Sequence, residues 1–104
     1  MEKKQILSSY IQLKLDYGYF NSYLVRLSNY DSDKCQICET KEDPEHLILH
    51  CRRYAQIRNK IKKEIKLNQL SLKILFSSKI GQEFLFQYIK QTGIATRANI
   101  LQNN

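Results

Sequence analysis

The clearest hydrophobic periodicity in the chain lies between residues 52 and 67. Apolar side chains recur there every three or four residues, at Tyr54, Ile57, Ile61 and Ile65. At about 100° per residue they fall within an arc of roughly 80°. The rest of the circumference carries seven basic side chains: Arg52, Arg53, Arg58, Lys60, Lys62, Lys63 and Lys66. The spacing predicts a helix whose apolar stripe faces a core and whose basic face looks outward.

Other segments also have helical patterns. Residues 3–15 carry apolar positions at mixed spacing, and their length favours a helix over a strand. Residues 20–27 place apolar side chains on one face of a short second helix, and residues 70–76 form a short apolar segment that we also interpret as helical. Residues 80–89 follow helical spacing, and Gly93 stands where a C-terminal cap belongs.

Length and composition fit one small globular domain. The chain has 104 residues, of which 42% are hydrophobic and 26% charged, close to ordinary globular usage. Three glycines and one proline are few, which favours long helices over many tight turns. The predicted fold class is therefore mainly α. No apolar run approaches the ~20 residues of a membrane span, so we expect no membrane partner.

Residues 35–51 contain all three cysteines and both histidines of the chain. Cys35 and Cys38 form a CxxC pair, which lets two thiolates hold one ion. His46 follows after seven residues and Cys51 after four more, and such a pair can complete a tetrahedron. Sulfur and imidazole ligands without an open position suit structural Zn²⁺ better than catalytic zinc. We predict one structural zinc site here; the alternative is that the cysteines are merely small buried residues.

The fourth ligand depends on the helix that begins at residues 43–45, Asp-Pro-Glu. Asp can cap, Pro fits the first helical position and Glu suits the positive end. On a regular helix His46 and His50 share a face, whereas Cys51 lies about 140° from His46. His46 and Cys51 can therefore share a metal only if the helix breaks or loosens before Cys51. We prefer Cys51 because of thiolate affinity, with His50 as the alternative ligand.

The cysteine count and the N-terminus bear on the compartment. Three cysteines cannot all pair in disulfides. Residues 1–7 include no apolar run long enough for a signal peptide. We therefore expect a reducing intracellular compartment, nuclear or cytoplasmic, where closely spaced cysteines more often hold metal than form a disulfide.

The net charge of +7 is unevenly distributed. Residues 1–34 carry five basic and four acidic groups, residues 35–51 one basic and four acidic, and residues 52–104 eleven basic and two acidic. A basic C-terminal half suits a polyanion, nucleic acid first, although lysine-rich surfaces are also common on proteins that bind none. The seven cations of the predicted helix are therefore the candidate nucleic-acid-binding residues.

Residues 35–54 resemble a known zinc-binding segment. They read Cys-x-x-Cys, seven residues, then His-Leu-Ile-Leu-His-Cys-Arg-Arg-Tyr. This is similar to the C-terminal segment of non-LTR retrotransposon reverse transcriptase polyproteins, particularly those with an upstream RNase H-like domain. There a CxxC precedes Glu-His-Leu-Leu-x-x-Cys-Pro-x-Tyr and a basic amphipathic helix. Five residues match that motif: Glu45, His46, Leu47, Cys51 and Tyr54.

The likeness covers about residues 12–66, and residues 84–97 more loosely. Arg52 stands where the family often has Pro, and residues 16–18, Asp-Tyr-Gly, replace its usual Thr-Gly-His-Gly. A polymerase needs a paired-Asp metal site and an RNase H needs several carboxylates. The ten acidic residues of this chain lie mostly in predicted turns or in the zinc segment. The resemblance therefore implies a detached, non-catalytic C-terminal fragment.

The implied organisation has three parts. Residues 1–34 are an N-terminal helical segment leading from an upstream RNase H-like region, residues 35–67 a zinc knuckle with its basic helix, and residues 68–104 a C-terminal helical segment with a frayed end. Two functions stay open. In the first, the module binds RNA or DNA backbone without much sequence preference. Tyr17, Tyr19 and Tyr23 are then candidates for stacking on bases, although core packing is the favoured role of Tyr23. Alternatively it docks a domain of a parent polyprotein and binds no nucleic acid. No small-molecule substrate is expected.

Overall fold

A computed structural model describes residues 1–27 and 31–97 of the chain. The α-helices are α1 (Lys3–Leu15), α2 (Asn21–Leu24), α3 (Ala55–Ile65), α4 (Leu72–Ser77) and α5 (Lys79–Thr92). Val25–Leu27 and Arg52–Tyr54 are 3₁₀ turns, and His46–His50 is π-helical. Within the described ranges the only β pairing is an isolated antiparallel bridge between Lys34 and Lys41. The predicted mainly α fold class is confirmed.

Helix α5 forms the centre of the core. It packs against α1, α3 and α4, and its side chains Phe84, Leu85, Tyr88 and Ile89 are fully buried. Gly93 ends the helix in the left-handed region, at φ 71°, and its N–H donates to the Ile89 carbonyl. The predicted glycine cap is therefore confirmed, and it follows from the freedom of glycine at positive φ.

The predicted helix over residues 52–67 is divided in two. Arg52–Tyr54 is a 3₁₀ turn, and regular α-helix runs only from Ala55 to Ile65. Its apolar stripe is confirmed, because Ile61 is fully buried and its neighbours on that stripe are at least half-buried. The helix ends at Lys66, which has φ 63°.

The other predicted helices correspond to observed ones. The prediction over residues 3–15 matches α1, and residues 20–27 contain α2 and the 3₁₀ turn after it. The segment over residues 70–76 corresponds to α4. The Ser71 hydroxyl caps the first turn of this helix by accepting the Ile74 N–H. The predicted frayed end, residues 102–104, lies outside the described residues. No helix in the described ranges is both long and apolar enough to cross a membrane.

Candidate metal centre

The four predicted ligands lie together beside the start of α3. One ligand atom from each of Cys35, Cys38, His46 and Cys51 lies within 4.8 Å of all the others. The Sγ atoms of Cys35 and Cys51 are 3.9 Å apart. Two thiolates bound tetrahedrally to one zinc at about 2.3 Å would be separated by about 3.8 Å. The cluster therefore has the dimensions to hold one metal ion.

The CxxC pair belongs to a tight turn closed by backbone hydrogen bonds. The Cys35 N–H donates to the Thr40 carbonyl at 2.7 Å, and the Glu39 N–H donates to the Cys35 carbonyl at 2.8 Å. Glu39 takes the left-handed conformation, at φ 60°, which reverses the chain after Cys38. The turn therefore delivers both sulfurs of the pair to the same cluster.

His46 and Cys51 meet because the helical turn after Pro44 loosens. Asp43 caps this turn as predicted: its Oδ1 accepts the His46 N–H at 2.8 Å. The Cys51 N–H then donates to the His46 carbonyl at 2.7 Å, the i to i+5 bond that defines a π-helix. Cys51 leaves the helix with extended backbone, φ −66° and ψ 124°. The condition on which ligation by Cys51 depended is thus met.

The alternative ligand, His50, does not join the cluster. Its side chain is exposed, one residue before the buried Cys51. The metal-competent group around His46 contains the three cysteines and not His50. A regular helix would have brought His50 to the face of His46; the π-turn brings Cys51 there instead.

His46 presents one ring nitrogen to a partner and leaves the other free. Its ring is 6% exposed, and Nδ1 lies 3.3 Å from the Thr40 hydroxyl. Buried Nε2 finds no hydrogen-bond partner among the residues that the structure describes. A proton on Nδ1, donated to Thr40, leaves the Nε2 lone pair available for a metal. Burial lowers the pKa of His46, which favours this neutral form.

Side chains from α3 and α5 hold the π-turn in place. Where a helix ends, its last carbonyls lose their helical partners. Arg58 donates to the carbonyls of Ile48 at 2.9 Å and Cys51 at 2.8 Å. The Tyr88 hydroxyl donates to the Leu47 carbonyl at 2.6 Å and accepts from Arg58 at 3.2 Å. Three carbonyls at the loosened turn are therefore satisfied by two distant side chains.

The prediction that Arg58 lies on an outward basic face is wrong. The residue is only 8% exposed, and its guanidinium donates hydrogen bonds to carbonyls of the π-turn and to the Tyr88 hydroxyl. On a regular helix Arg58 lies only about 20° from the edge of the apolar arc, and its charge, not its position, placed it with the polar residues. Nothing local in the sequence indicates the role of Tyr88, which lies 41 residues from its acceptor Leu47.

Arg52 and Arg53 are also engaged at the cluster. The Arg52 N–H donates to Cys38 Sγ at 3.3 Å, and its guanidinium donates to the Ile37 carbonyl at 2.6 Å. The Arg53 Nε–H donates to Cys51 Sγ at 3.3 Å, while its terminal nitrogen pairs with Glu42 at 3.2 Å. The sequence reasoning missed this use of both residues, although their position directly after Cys51 was a signal.

The thiols at the cluster have shifted pKa values. Burial raises the pKa of Cys51, against the lowering effect of its hydrogen bonds from Arg53. Burial would also raise the pKa of Cys38, but hydrogen bonds from Arg52 outweigh it, so the pKa is lowered. Donors of this kind favour thiolates, the form in which cysteine binds a metal.

The cations that stay at the surface are clustered near the end of α3. Lys60, Lys63 and Lys66 are exposed and Lys62 is half-buried. A shallow groove here is lined by Asn59, Lys62, Lys63, Lys66, Leu67 and Asn68. No acidic side chain among the residues that the structure describes lines this groove, so it presents positive charge to solvent. Lysines in a last helical turn also suit the helix dipole, which is a structural reason for their presence.

No family model matches the chain, and no curated protein or solved structure is detectably similar to it. The fold and the site together define a small, mainly helical chain with a Cys₃His cluster that could hold one metal ion.

Proposed function

We propose that this chain is a zinc-binding, non-catalytic module that binds the backbone of RNA or DNA. We propose further that it is the C-terminal fragment of a non-LTR retrotransposon reverse transcriptase. The observation that carries the proposal is the π-turn, since it brings His46 and Cys51 to one point beside the CxxC pair. A π-turn of this kind is rare and is found frequently at functional sites.

The donor set supports zinc. Three sulfurs and one imidazole nitrogen are the ligands of tetrahedral structural zinc sites. The sulfurs of Cys35 and Cys51 are buried, and the unpartnered Nε2 of His46 is the kind of atom a metal satisfies. Four protein ligands leave no position for a reacting water, which is why the proposal is a structural site and not a hydrolytic one.

The lysines near the end of α3 support nucleic-acid binding. Lys62, Lys63 and Lys66 line a groove to which no acidic side chain of the described residues contributes, and Lys60 is exposed on α3. Lysines bind phosphates as point charges, without reading bases. Three or four such contacts give an affinity for duplex DNA that falls with salt with a log–log slope of about −3.

The origin rests on the resemblance of the zinc segment. The matches at residues 45–54 include two of the ligands in the cluster, His46 and Cys51. Where the family often has Pro after the last cysteine, this chain has Arg52, and the helix is ended by the bonds of Arg58 and Tyr88 instead. The departure from the motif therefore does not remove the break that the site needs.

The test of the binding function compares two triple variants of equal charge. Lys60→Glu, Lys62→Glu and Lys63→Glu remove the α3 cluster; Lys73→Glu, Lys79→Glu and Lys90→Glu change three exposed lysines elsewhere. Fluorescence anisotropy with labelled single-stranded RNA and duplex DNA is measured across a salt series. We expect only the first variant to lose binding and to flatten the salt slope. Equal losses of binding in the two triple variants would show that only net charge matters and would contradict a defined binding face.

A groove on the N-terminal segment favours a second candidate, a module that docks an upstream domain of the parent polyprotein. The groove has a volume of ≈ 620 Å³ and is lined mainly by apolar side chains of α1 and the segment after it. Five large, exposed apolar side chains line it: Leu7, Ile11, Tyr17, Tyr19 and Leu27. A contiguous apolar surface of this kind is typical of an interaction site.

The tyrosines proposed for stacking lie in this same groove. Tyr17 and Tyr23 pack with their ring centres 6.0 Å apart, and Arg26 lies over Tyr23 at 5.2 Å. The double variant Leu7→Glu with Ile11→Glu is compared with the control Ile80→Glu on α5. Light scattering measures self-association, and chemical unfolding measures stability. Less self-association at unchanged stability in the double variant alone supports docking; a large loss of stability would show that the groove is part of the core.

A further inference from the structure

The guanidinium of Arg53 lies between the sulfur cluster and a buried carboxylate. Its Nε–H donates to Cys51 Sγ at 3.3 Å and its terminal nitrogen lies 3.2 Å from Glu42. The side chain is 17% exposed, and that of Glu42 is 5% exposed. The guanidinium also lies over the Tyr54 ring, 4.9 Å from its centre, which restricts its orientation.

The charge of a metal-bound centre would act on the nearby guanidinium of Arg53. Three thiolates, a neutral imidazole and a divalent ion carry a net charge of −1. A cation at low exposure is weakly screened by water and interacts strongly with such a centre. A charged N–H donor on a thiolate forms a stronger bond than a neutral one, so Arg53 stabilises Cys51 in the form that binds metal.

We propose that Arg53 is the charge partner of the metal centre, and that it is not a contact to nucleic acid. The inference rests on the proposed zinc function. Arg53 donates one N–H to Cys51 Sγ and is itself held by Glu42 through another. It acts through Cys51 and is therefore a positioning residue. Mutation of a residue that hydrogen-bonds a metal ligand typically lowers metal affinity 10–100-fold.

The same residue ties the centre to the N-terminal half. Glu42 Oε1 accepts the Asn21 N–H at 2.9 Å, and the Glu42 carbonyl accepts the Ser22 N–H at 3.0 Å. A continuous path of polar contacts therefore runs from Cys51 through Arg53 and Glu42 to the start of α2. Arg53 is fixed from both sides, so its charge stays beside the sulfur.

The experiment uses two variants of similar size in the full chain. Arg53→Gln removes the charge, and Arg53→Lys keeps it. Zinc affinity is measured by competition with a chelator of known affinity, and the cobalt-substituted protein is followed by its thiolate-to-cobalt absorption. Lys73→Ala, which removes an exposed cation from α4, is the matched control. Helicity by circular dichroism confirms that each variant is folded.

We expect Arg53→Gln to weaken zinc binding roughly 10–100-fold and to move the thiolate-to-cobalt band to lower energy, because the sulfur loses a stabilising charge. Arg53→Lys should recover most of the affinity, and Lys73→Ala should leave both readouts unchanged. The salt slope of RNA binding should not change in Arg53→Gln, because no phosphate contact is lost.

Three results would overturn the proposal. Unchanged zinc affinity and an unchanged cobalt band in Arg53→Gln would show that the charge does not act on the centre. Equal losses in Arg53→Lys and Arg53→Gln would assign the residue to packing over Tyr54. A flattened salt slope in Arg53→Gln would return it to nucleic-acid binding. Absence of zinc from the wild-type chain would instead contradict the proposed function itself.

Discussion

Two helical stretches of this molecule are stabilised in different ways. Helix α5 is regular over Lys79–Thr92, and four of its apolar side chains are fully buried in the core. The turn from Pro44 to Cys51 loosens into a π-helix and depends on polar bonds from Arg58 and Tyr88. Burial of apolar surface stabilises the first, whereas the second also requires every polar group at its end to find a partner.

The candidate metal site lies in the distorted stretch and not in the regular one. A regular helix places residues three and four apart on one face, and it would have paired His46 with His50. The loosened turn pairs His46 with Cys51 instead, and this pairing completes the cluster. The distortion is thus the feature that positions the site, and the predictions below compare it with the regular helix.

Removing the metal should produce the largest difference in stability between the π-turn and α5. Ligation energy of structural zinc in small peptides is about 10–16 kcal/mol, so a chelator should loosen residues 44–54 far more than α5. Hydrogen exchange measured on the loaded and the chelated protein checks this. The amide of Cys51, bonded to the His46 carbonyl, should exchange much faster without metal. Equal acceleration in α5 would show that the turn has no separate dependence on metal.

Lowering the pH should act on the same turn in the same direction. Each thiol that must lose its proton reduces metal affinity by up to about tenfold per pH unit, so zinc should be released as pH falls. The lowered pKa of His46 means that its ring resists protonation in the folded chain. In the unfolded chain it takes up a proton below about pH 6.5, so falling pH reduces the free energy of unfolding.

Zinc content after dialysis between pH 7.5 and 5, with α5 followed by hydrogen exchange, measures this effect. Release of zinc should precede any loss of protection in α5. Retention of metal that does not change over this range would contradict ligation by thiolates.

Replacing Arg58 should cost less than losing the metal. Arg58→Ala leaves the carbonyls of Ile48 and Cys51 without donors, at about 1–3 kcal/mol for each unsatisfied group. We expect a fall of about 3 kcal/mol in the free energy of unfolding. Lys60→Ala, at an exposed position of the same helix, should change it by less than about 0.5 kcal/mol. Chemical denaturation compares them, and equal effects would place Arg58 on the surface after all.

Removing the helix caps should have the smallest effect on stability, and only one of the two caps should affect metal binding. Asp43 caps the loosened turn and Ser78 caps α5, each through one side-chain oxygen. Asp43→Ala and Ser78→Ala should each lower stability by about 1 kcal/mol. Only Asp43→Ala should also weaken metal binding, because it frees the N–H of the ligand His46. A similar loss of metal affinity in Ser78→Ala would contradict the local role of the turn.

Much of the regular structure could be predicted from the sequence. The bounds of α1 and the cap at Gly93 follow from local spacing and from glycine at positive φ. Cys35, Cys38 and His46 also followed from their spacing, and Cys51 was preferred to His50 for its thiolate affinity. The choice between Cys51 and His50 did not follow from spacing, because it depends on Tyr88 and Arg58, which reach the turn only in the folded chain.

The most direct test of the central claim is the zinc content per chain, measured after purification under reducing conditions. Wild type is compared with Cys51→Ser and His50→Ala. We predict one zinc in wild type and in His50→Ala, and none in Cys51→Ser. Zinc retained in Cys51→Ser and lost in His50→Ala, or absent from wild type, would contradict the site formed by Cys35, Cys38, His46 and Cys51.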